Sequence, residues 1–325
     1  MSRKPEYALL YSIARSYYIE NLSQSQIAER ENISRSQISR LLDKAKSLGI
    51  VNITVTLPDD PDNYVLVESA AKVLGIREVV IAPVDPDEDD PAAISEAIAH
   101  TAALYLPKAL KGCKTVGLGW GKTMYNMSLH LNYINVGEER IYVPMVGVSG
   151  TSNPSLQVNT IIDRVAERHR ARSYFVNVPT LRDTSNPISK IDEQRMAALE
   201  TYWSRMDAAV FGLGGPPKGD GIFMEEASPR LNARVASCNA VGDVLSHFFY
   251  EDGSAFEFGR NYRHNAYDIQ RLRKVRKSIC LAGGADKIEG IIVAARCGFF
   301  NTLITDSNTA KIFYDRFRNG GASNE

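Results

Sequence analysis

Cysteine, histidine and tryptophan are scarce in this chain: its 325 residues include 4, 5 and 2 of them respectively. Cys113, Cys238, Cys280 and Cys297 form no C-x-x-C pair and keep no zinc-ligand spacing with histidine. That excludes a zinc ribbon and a disulfide-stapled domain, and leaves ordinary thiols. His100, His130, His169, His247 and His264 are scattered without a motif, so no metal or other cofactor is expected. No apolar run reaches membrane-spanning length. The opening MSRKPEYALL lacks an apolar core ahead of a small-residue cleavage site. The expectation is a cytoplasmic protein with no membrane partner. Net charge is also missing, with 38 Lys and Arg against 38 Asp and Glu. This argues against a surface coated with nucleic acid, but not against one basic reading face.

The charge is segregated. Arg3, Lys4, Arg15, Arg30, Arg35, Arg40, Lys44 and Lys46 outweigh Glu6, Glu20, Glu29, Glu31 and Asp43 in the first 57 residues, while Asp59 to Asp90 is acidic. Within the basic end, residues 22–50 read LSQSQIAERENISRSQISRLLDKAKSLGI, the pattern of a helix-turn-helix. Ser23 caps a short helix, and Ile27 and Ala28 give it an apolar face. Asn32 tolerates the left-handed turn conformation. Ser34 caps a second helix, whose Ile38, Leu41, Leu42, Ala45 and Leu48 recur at helical spacing. Gly49 is placed to close it as a left-handed C-cap. The other face holds Arg35, Ser36, Gln37, Ser39, Arg40, Lys44 and Lys46. Arg pairs with guanine, Gln with adenine, and Lys meets phosphate. A solvated surface helix shows a similar polar face. Two helices joined by a tight polar turn, the second opening Ser-Arg-Ser-Gln, favour DNA. Contacts to double-stranded operator DNA are therefore expected from Ser25, Ser34, Arg35, Ser36, Gln37, Ser39, Arg40 and Lys44. Residues 6–20 read as a supporting helix with Leu9, Leu10, Ile13, Ala14 and Tyr17 inward. VNITVTL after Gly49 alternates as a strand. PDDPD breaks the chain as a linker, and NYVLVESAAKVLG reads as a connecting helix.

From about residue 76 short β-branched runs alternate with glycine loops and helices. REVVIAP, KTVGLGWG, RIYVPMVGVSG, SYFVNVP, DAAVFGLGG, SAFEFG, KSICLAGG and TLITD read as strands. AAISEAIAHTAALYLPKAL reads as a helix. The fold class expected is α/β, with a mostly parallel sheet behind the helix-turn-helix head. The domain expectation is 1–57 for the head, 58–75 for linker and connecting helix, 76–318 for the α/β domain and 319–325 for a disordered tail. Ligands of such sheets sit beyond the carboxyl ends of the strands, where the glycine loops lie.

The sharpest loop is GLGWGKTM, residues 117–124. Converging backbone N–H groups and a following helix N-terminus suit a phosphate, and Lys122 and Thr123 add a charge and a hydroxyl. A tight strand-to-helix turn with nothing bound would look alike. The loop is not a P-loop, which needs a glycine at Val116. It is not a dinucleotide fingerprint, which needs one at Lys122. Ser149 and Gly150 end VGVSG, and Gly214 lies in GLGG. Asp243 in AVGDVLSHFF is read as preceding an apolar helix, and Lys287 follows LAGGAD. A carboxylate and two lysines around glycine loops suit a polyhydroxylated anion. Taken alone, Asp243 reads better as a helix cap and Lys287 as a surface lysine.

Together YSIARSYYIENLSQSQIAERENISRSQISRLLDKAKSLGIV, GLGWGKTM, DAAVFGLGG, AVGDVLSHFF and LAGGADKIEGIIVAARCGFFNTLITD resemble the SorC/DeoR-type sugar-binding transcriptional regulators of bacteria, nearly end to end. The resemblance implies an effector domain similar in fold to sugar-phosphate isomerases and glucosamine-phosphate deaminases. It implies a sugar, polyol or sugar-phosphate effector, and a homodimer or homotetramer. It carries Gly121, Lys122 and Thr123 to the phosphate, Asp243 to a sugar hydroxyl and Lys287 to the same pocket. Gly119, Trp120, Ser149, Gly150 and Gly214 complete the expected effector set. Some relatives hold a Schiff-base lysine in the loop that here reads VGVSG. No lysine stands there, so covalent capture is not implied. The alternatives are a sugar-phosphate isomerase or deaminase with an appended head, which lacks a second acid/base group at a telling spacing, and an architectural DNA-binding protein.

Overall fold

The structure, a computed structural model, describes residues 4–48, 50–51, 61–149, 153–217 and 228–321. The cap expected at Gly49, the strand expected to follow it, most of the PDDPD linker and Gly150 lie outside the described residues. The chain forms two compact units, Met1–Leu57 with Asn132–Ile134, and Pro58–Leu131 with Asn135–Glu325.

The smaller unit holds α1 (Lys4–Tyr18), α2 (Gln24–Glu31) and α3 (Arg35–Ser47). Its core is Ile13, Ile27, Ile38 and Leu42, continued by Leu10, Ala14 and Ala45. Leu9, expected inward, is 39 % exposed: the helical stripe runs through Leu10, Ile13 and Ala14 and leaves it on the flank.

The larger unit begins with α4 (Pro61–Leu74), β1 (Glu78–Ala82), α5 (Pro91–Ala109), β2 (Thr115–Leu118), α6 (Lys122–His130), β3 (Ile141–Pro144), α7 (Val158–His169), β4 (Arg172–Ser173) and β5 (Leu181–Asp183). It continues with α8 (Lys190–Ser204), β6 (Ala208–Gly214), α9 (Pro229–Ala236), β7 (Gly242–Val244), β8 (His247–Phe249) and β9 (Tyr262–His264). β10 (Lys277–Leu281), α10 (Ile288–Arg296), β11 (Thr302–Asp306) and α11 (Ser307–Gly321) complete it. The main sheet runs β1-β11-β10-β6-β2-β3-β4, every pair parallel. β7 pairs antiparallel with β6, and β8 with β7. β2, β3 and β11 are buried along their whole length. That is why they read as continuous apolar runs: a parallel sheet is covered on both faces.

Three sequence expectations change here. AVGDVLSHFF is the β7–β8 hairpin, not a helix, so Asp243 caps nothing. Only the first residue of SYFVNVP is in a strand, and SAFEFG contributes a single bridge, Phe249 to Ala255. α11 continues to Gly321, beyond the expected start of the tail.

From β2 the chain moves outward through β3 and β4, and from β6 it moves the other way through β10 and β11. The order reverses between β2 and β6, and in open α/β sheets a crevice outside the carboxyl ends at such a switch point is where ligands bind. A satellite cluster of Leu181, Leu231, Val235, Ala240, Phe248 and Phe258 packs with Trp120 from the β2–α6 loop.

At the other side of the core, Arg140 is buried and donates from Nε to Cys113 O at 3.0 Å and from Nη2 to Leu110 O at 2.6 Å. Tyr142 Oη hydrogen-bonds with His169 Nδ1 at 2.5 Å. Burial, reinforced by the Arg140 charge, pushes the His169 imidazole down to about 4 from its ordinary 6.5. Between those values the unfolded chain binds a proton that the fold refuses. Stability is therefore full above pH 6.5 and falls as pH drops toward 4. His169 alone contributes about 3 kcal/mol of that loss. Urea unfolding followed by Trp120 and Trp203 fluorescence, both in this unit, is expected to show it. His169→Gln should flatten the curve over this window, and an unchanged pH slope rejects the assignment.

Candidate functional site

In the smaller unit both reading-pair helices start with reciprocal caps. Ser23 Oγ accepts from Gln26 N while Gln26 Oε1 accepts from Ser23 N. Ser34 and Gln37 repeat the arrangement at the start of α3. The Ser-x-x-Gln spacing makes this possible, since the third helical residue faces back over the cap. Asn32 sits at φ 55, ψ 44 and turns the chain between the helices. The turn and caps fix where α3 begins, and its buried Ile38, Leu42 and Ala45 fix which face is outward. That outward face carries Arg35, Ser36, Gln37, Arg40 and Lys44, all exposed, with Ser39 half-buried. Ser25 is exposed on α2. Arg35 and Arg40 make no ion pair among the described residues, whereas Arg30 pairs with Glu20 and Glu31. Gln37 has its Oε1 committed to Ser34, so only its amide N–H groups face outward for a base.

In the larger unit the crevice is knitted together by four close approaches. A Cβ on Gly214 would stand 1.9 Å from Asp243 Oδ1, so only glycine leaves room for that carboxylate. The β6–β7 register sets Asp243 opposite Gly214. A Cβ on Gly119 would meet Phe211 Cβ at 2.9 Å and Leu245 Cδ2 at 3.1 Å. One on Gly215 would meet Asp286 Oδ2 at 3.1 Å. The loops after β2, β6 and β10 and the β7–β8 turn therefore touch one another.

Gly121 has φ 106 and precedes α6 without any side-chain cap, so the first N–H groups of α6 have no side-chain acceptor there. Lys122 is exposed beside them and makes no ion pair among the described residues. Thr123 Oγ1 is hydrogen-bonded to Ser95 Oγ on α5 at 2.7 Å. Gly119 is buried and its N–H donates to Val210 O at 2.8 Å, so it shapes the loop rather than offering a donor. Trp120 is half-buried and packs into the satellite cluster.

Asp243 is only partly exposed. Burial pushes its carboxyl up to about 6, against the pull of the Lys287 ammonium and a hydrogen bond from the Ser246 backbone N–H. Its environment thus places its charge change near neutral pH. Lys287 is half-buried where the chain enters α10. Ser149 is 3 % exposed; its N–H donates to Gln157 Oε1 at 3.0 Å, and its Oγ has no hydrogen-bond partner among the described residues. The support behind the β10 loop is Asp306, fully buried, which accepts from Thr309 N at 2.8 Å and Thr309 Oγ1 at 2.6 Å. Thr309 Oγ1 in turn accepts from Gly284 N at 2.8 Å.

Ser95, Leu245, Ser246, Asp306 and Thr309 were not singled out from the sequence. Ser95 lies inside a long helix with nothing to mark it. Leu245 and Ser246 form a two-residue hairpin turn at φ 51 and 63. Side chains there cost about 1 kcal/mol or more each. Such turns announce themselves by Asn-Gly or Gly-Gly, and Leu-Ser carries no such signal.

A glycine loop turning into α6, Asp243 held over Gly214 and a helix-turn-helix head thus stand in one chain. The family described as "Putative sugar-binding domain" matches residues 65–313. The chain is 29 % identical to the sorbitol operon regulator of Klebsiella pneumoniae over 96 % of this chain and 99 % of that one. It is 30 % identical to the deoxyribonucleoside regulator of Bacillus subtilis (strain 168), over 92 % and 94 % of the two chains. The crystal structure of the full-length Klebsiella pneumoniae protein superposes with a TM-score of 0.67 over 94 % of this chain and 98 % of that one. The protein belongs to the SorC/DeoR-type sugar-binding transcriptional regulators and is not an enzyme. Among the described residues no helix is long and apolar enough to cross a membrane.

Proposed function

We propose that this protein is a cytoplasmic regulator of a carbohydrate or polyol catabolic operon, switched by a sugar, polyol or sugar phosphate bound in the β2/β6 crevice. Residues 1–57 are its DNA-binding head, 58–75 its connector and 76–318 its effector-binding and oligomerisation domain. Homodimers set two heads on successive major grooves of a near-palindromic operator. The observation that carries the effector reading is Asp243 held over Gly214, at the strand pair where the sheet's connections reverse. The relatives' names, a sorbitol operon regulator and a deoxyribonucleoside regulator, support a sugar-derived or polyol effector.

Each part then has a role. The α6 N-terminus with Lys122 takes the anionic group, Asp243 accepts from a hydroxyl, and Lys287 balances charge. Ser149 and Trp120 shape the wall. Effector binding shifts operator affinity by its preference between two arrangements of the protein, commonly ~1–3 kcal/mol per coupled site.

The test is gel retardation of DNA from upstream of the protein's own gene, with and without sorbitol, sorbitol 6-phosphate and ribose 5-phosphate. Lys122→Ala and Asp243→Asn are each expected to move the effective concentration upward about tenfold, the loss of one charge-assisted hydrogen bond. Basal DNA binding should remain. Unaltered dose curves for both variants would reject the pocket. A protein that retards no such fragment at low ionic strength would reject the regulator.

A further inference from the structure

The β7–β8 turn places two successive non-glycine residues in the left-handed region, Leu245 at φ 51 and Ser246 at φ 63. Elsewhere among the described residues Asn21, Asn32 and Arg170 adopt it singly, the last two as helix C-caps. A two-residue hairpin of this hand is ordinarily built from Asn-Gly or Gly-Gly. Side chains at both positions therefore call for a reason beyond the turn itself.

Leu245 has one: it is buried and packs against Gly119 of the anion loop. Ser246 does not. It is 1 % exposed and its Oγ has no hydrogen-bond partner among the described residues. A buried hydroxyl without a partner destabilises the fold, and alanine or glycine would remove that cost. Its backbone N–H is also among the groups that favour the charged form of the Asp243 carboxyl. Ser246 follows Asp243 by three residues in the same hairpin, next to Leu245, which packs on Gly119 of the anion loop.

We propose that Ser246 Oγ is a second hydroxyl-recognising group of the effector site, working beside Asp243. The inference rests on the effector-site reading given above. It narrows the effector to a molecule presenting at least two hydroxyls to this turn, one donating to the carboxylate and a second exchanging a hydrogen bond with Ser246. The hydroxyl is covered by its neighbours, so the ligand meets it as the turn shifts. Two side chains in left-handed backbone lower the cost of that shift.

Calorimetric titration of the full chain with sorbitol, sorbitol 6-phosphate, ribose 5-phosphate and inorganic phosphate provides the test. Ser246→Ala and Ser246→Gly are each expected to weaken the tightest polyol or sugar ligand of the wild type about tenfold, the loss of one hydrogen bond. A purely structural Ser246 predicts otherwise. Ser246→Gly would then raise the melting temperature by relieving the backbone and leave affinity unchanged. Binding within twofold of wild type in both variants overturns the proposal alone. A wild type that binds none of the probes overturns the effector reading, and this inference with it.

Discussion

Replacing Arg35 and Arg40 together by alanine is expected to lower operator affinity about 100-fold or more, since a well-placed arginine contact to a base is worth ~1–3 kcal/mol. Both side chains leave α3 on the face opposite buried Ile38, Leu42 and Ala45, so truncating them opens no cavity. Neither has an acidic partner among the described residues that truncation would strand. The fold and the effector response should therefore survive. Fluorescence anisotropy across a salt series separates two kinds of contact. Loss of base readings weakens the operator more than random DNA, while loss of phosphate contacts weakens both alike and lowers the salt slope by about one per lysine or arginine. Operator affinity within threefold of wild type would show that another face meets DNA. Gln37→Ala is a poorer probe of reading, because it also opens the cap at Ser34.

The second large effect concerns one methyl group. Gly214→Ala puts a Cβ 1.9 Å from Asp243 Oδ1, inside any permitted contact, so the carboxylate must leave its place. The expected result is loss of the effector response, a shift in effective concentration of about 100-fold, with a stability cost of ~1–3 kcal/mol from overpacking. Gly212→Ala, two residues earlier on the same strand, meets only Leu281 O at 3.8 Å and is expected to respond like wild type. Melting curves and effector titrations of the pair decide the matter. If Gly214→Ala responds normally, Asp243 is not an effector ligand. If both variants fail alike, the strand rather than the carboxylate is at fault.

Linkage gives a check on the same residue. A carboxyl that changes charge near pH 6 accepts from a hydroxyl fully only above that value. Asp243 also has the opposite stability sign to His169. Its folded value is raised, so its contribution is present below the ordinary 3.8 and is lost as pH rises through about 6.

Much of the site was legible because glycine, capping serine and left-handed asparagine are chosen by backbone geometry. Ser23, Ser34 and Asn32 perform the roles their positions imply. The glycine loop from Gly117 ends in φ 106 at Gly121, as a strand turning sharply into a helix requires. The hairpin at Asp243 was misread because Val244, Leu245, Phe248 and Phe249 are apolar at spacings a helix also permits. Periodicity cannot separate a short buried hairpin from a helix when both faces are covered. The strand expected at SYFVNVP failed for the opposite reason. Its β-branched residues bury against the core, yet after Ser173 the backbone leaves the sheet toward Val148.

Neighbours within a few residues set where α2 and α3 begin and how the loop from Gly117 turns into α6, so these were readable along the chain. Tertiary packing alone set Asp243 over Gly214 and Leu245 against Gly119. Those contacts join residues far apart along the chain. They arise from strand order and from the register of β6 with β7, which depend on segments distant in sequence.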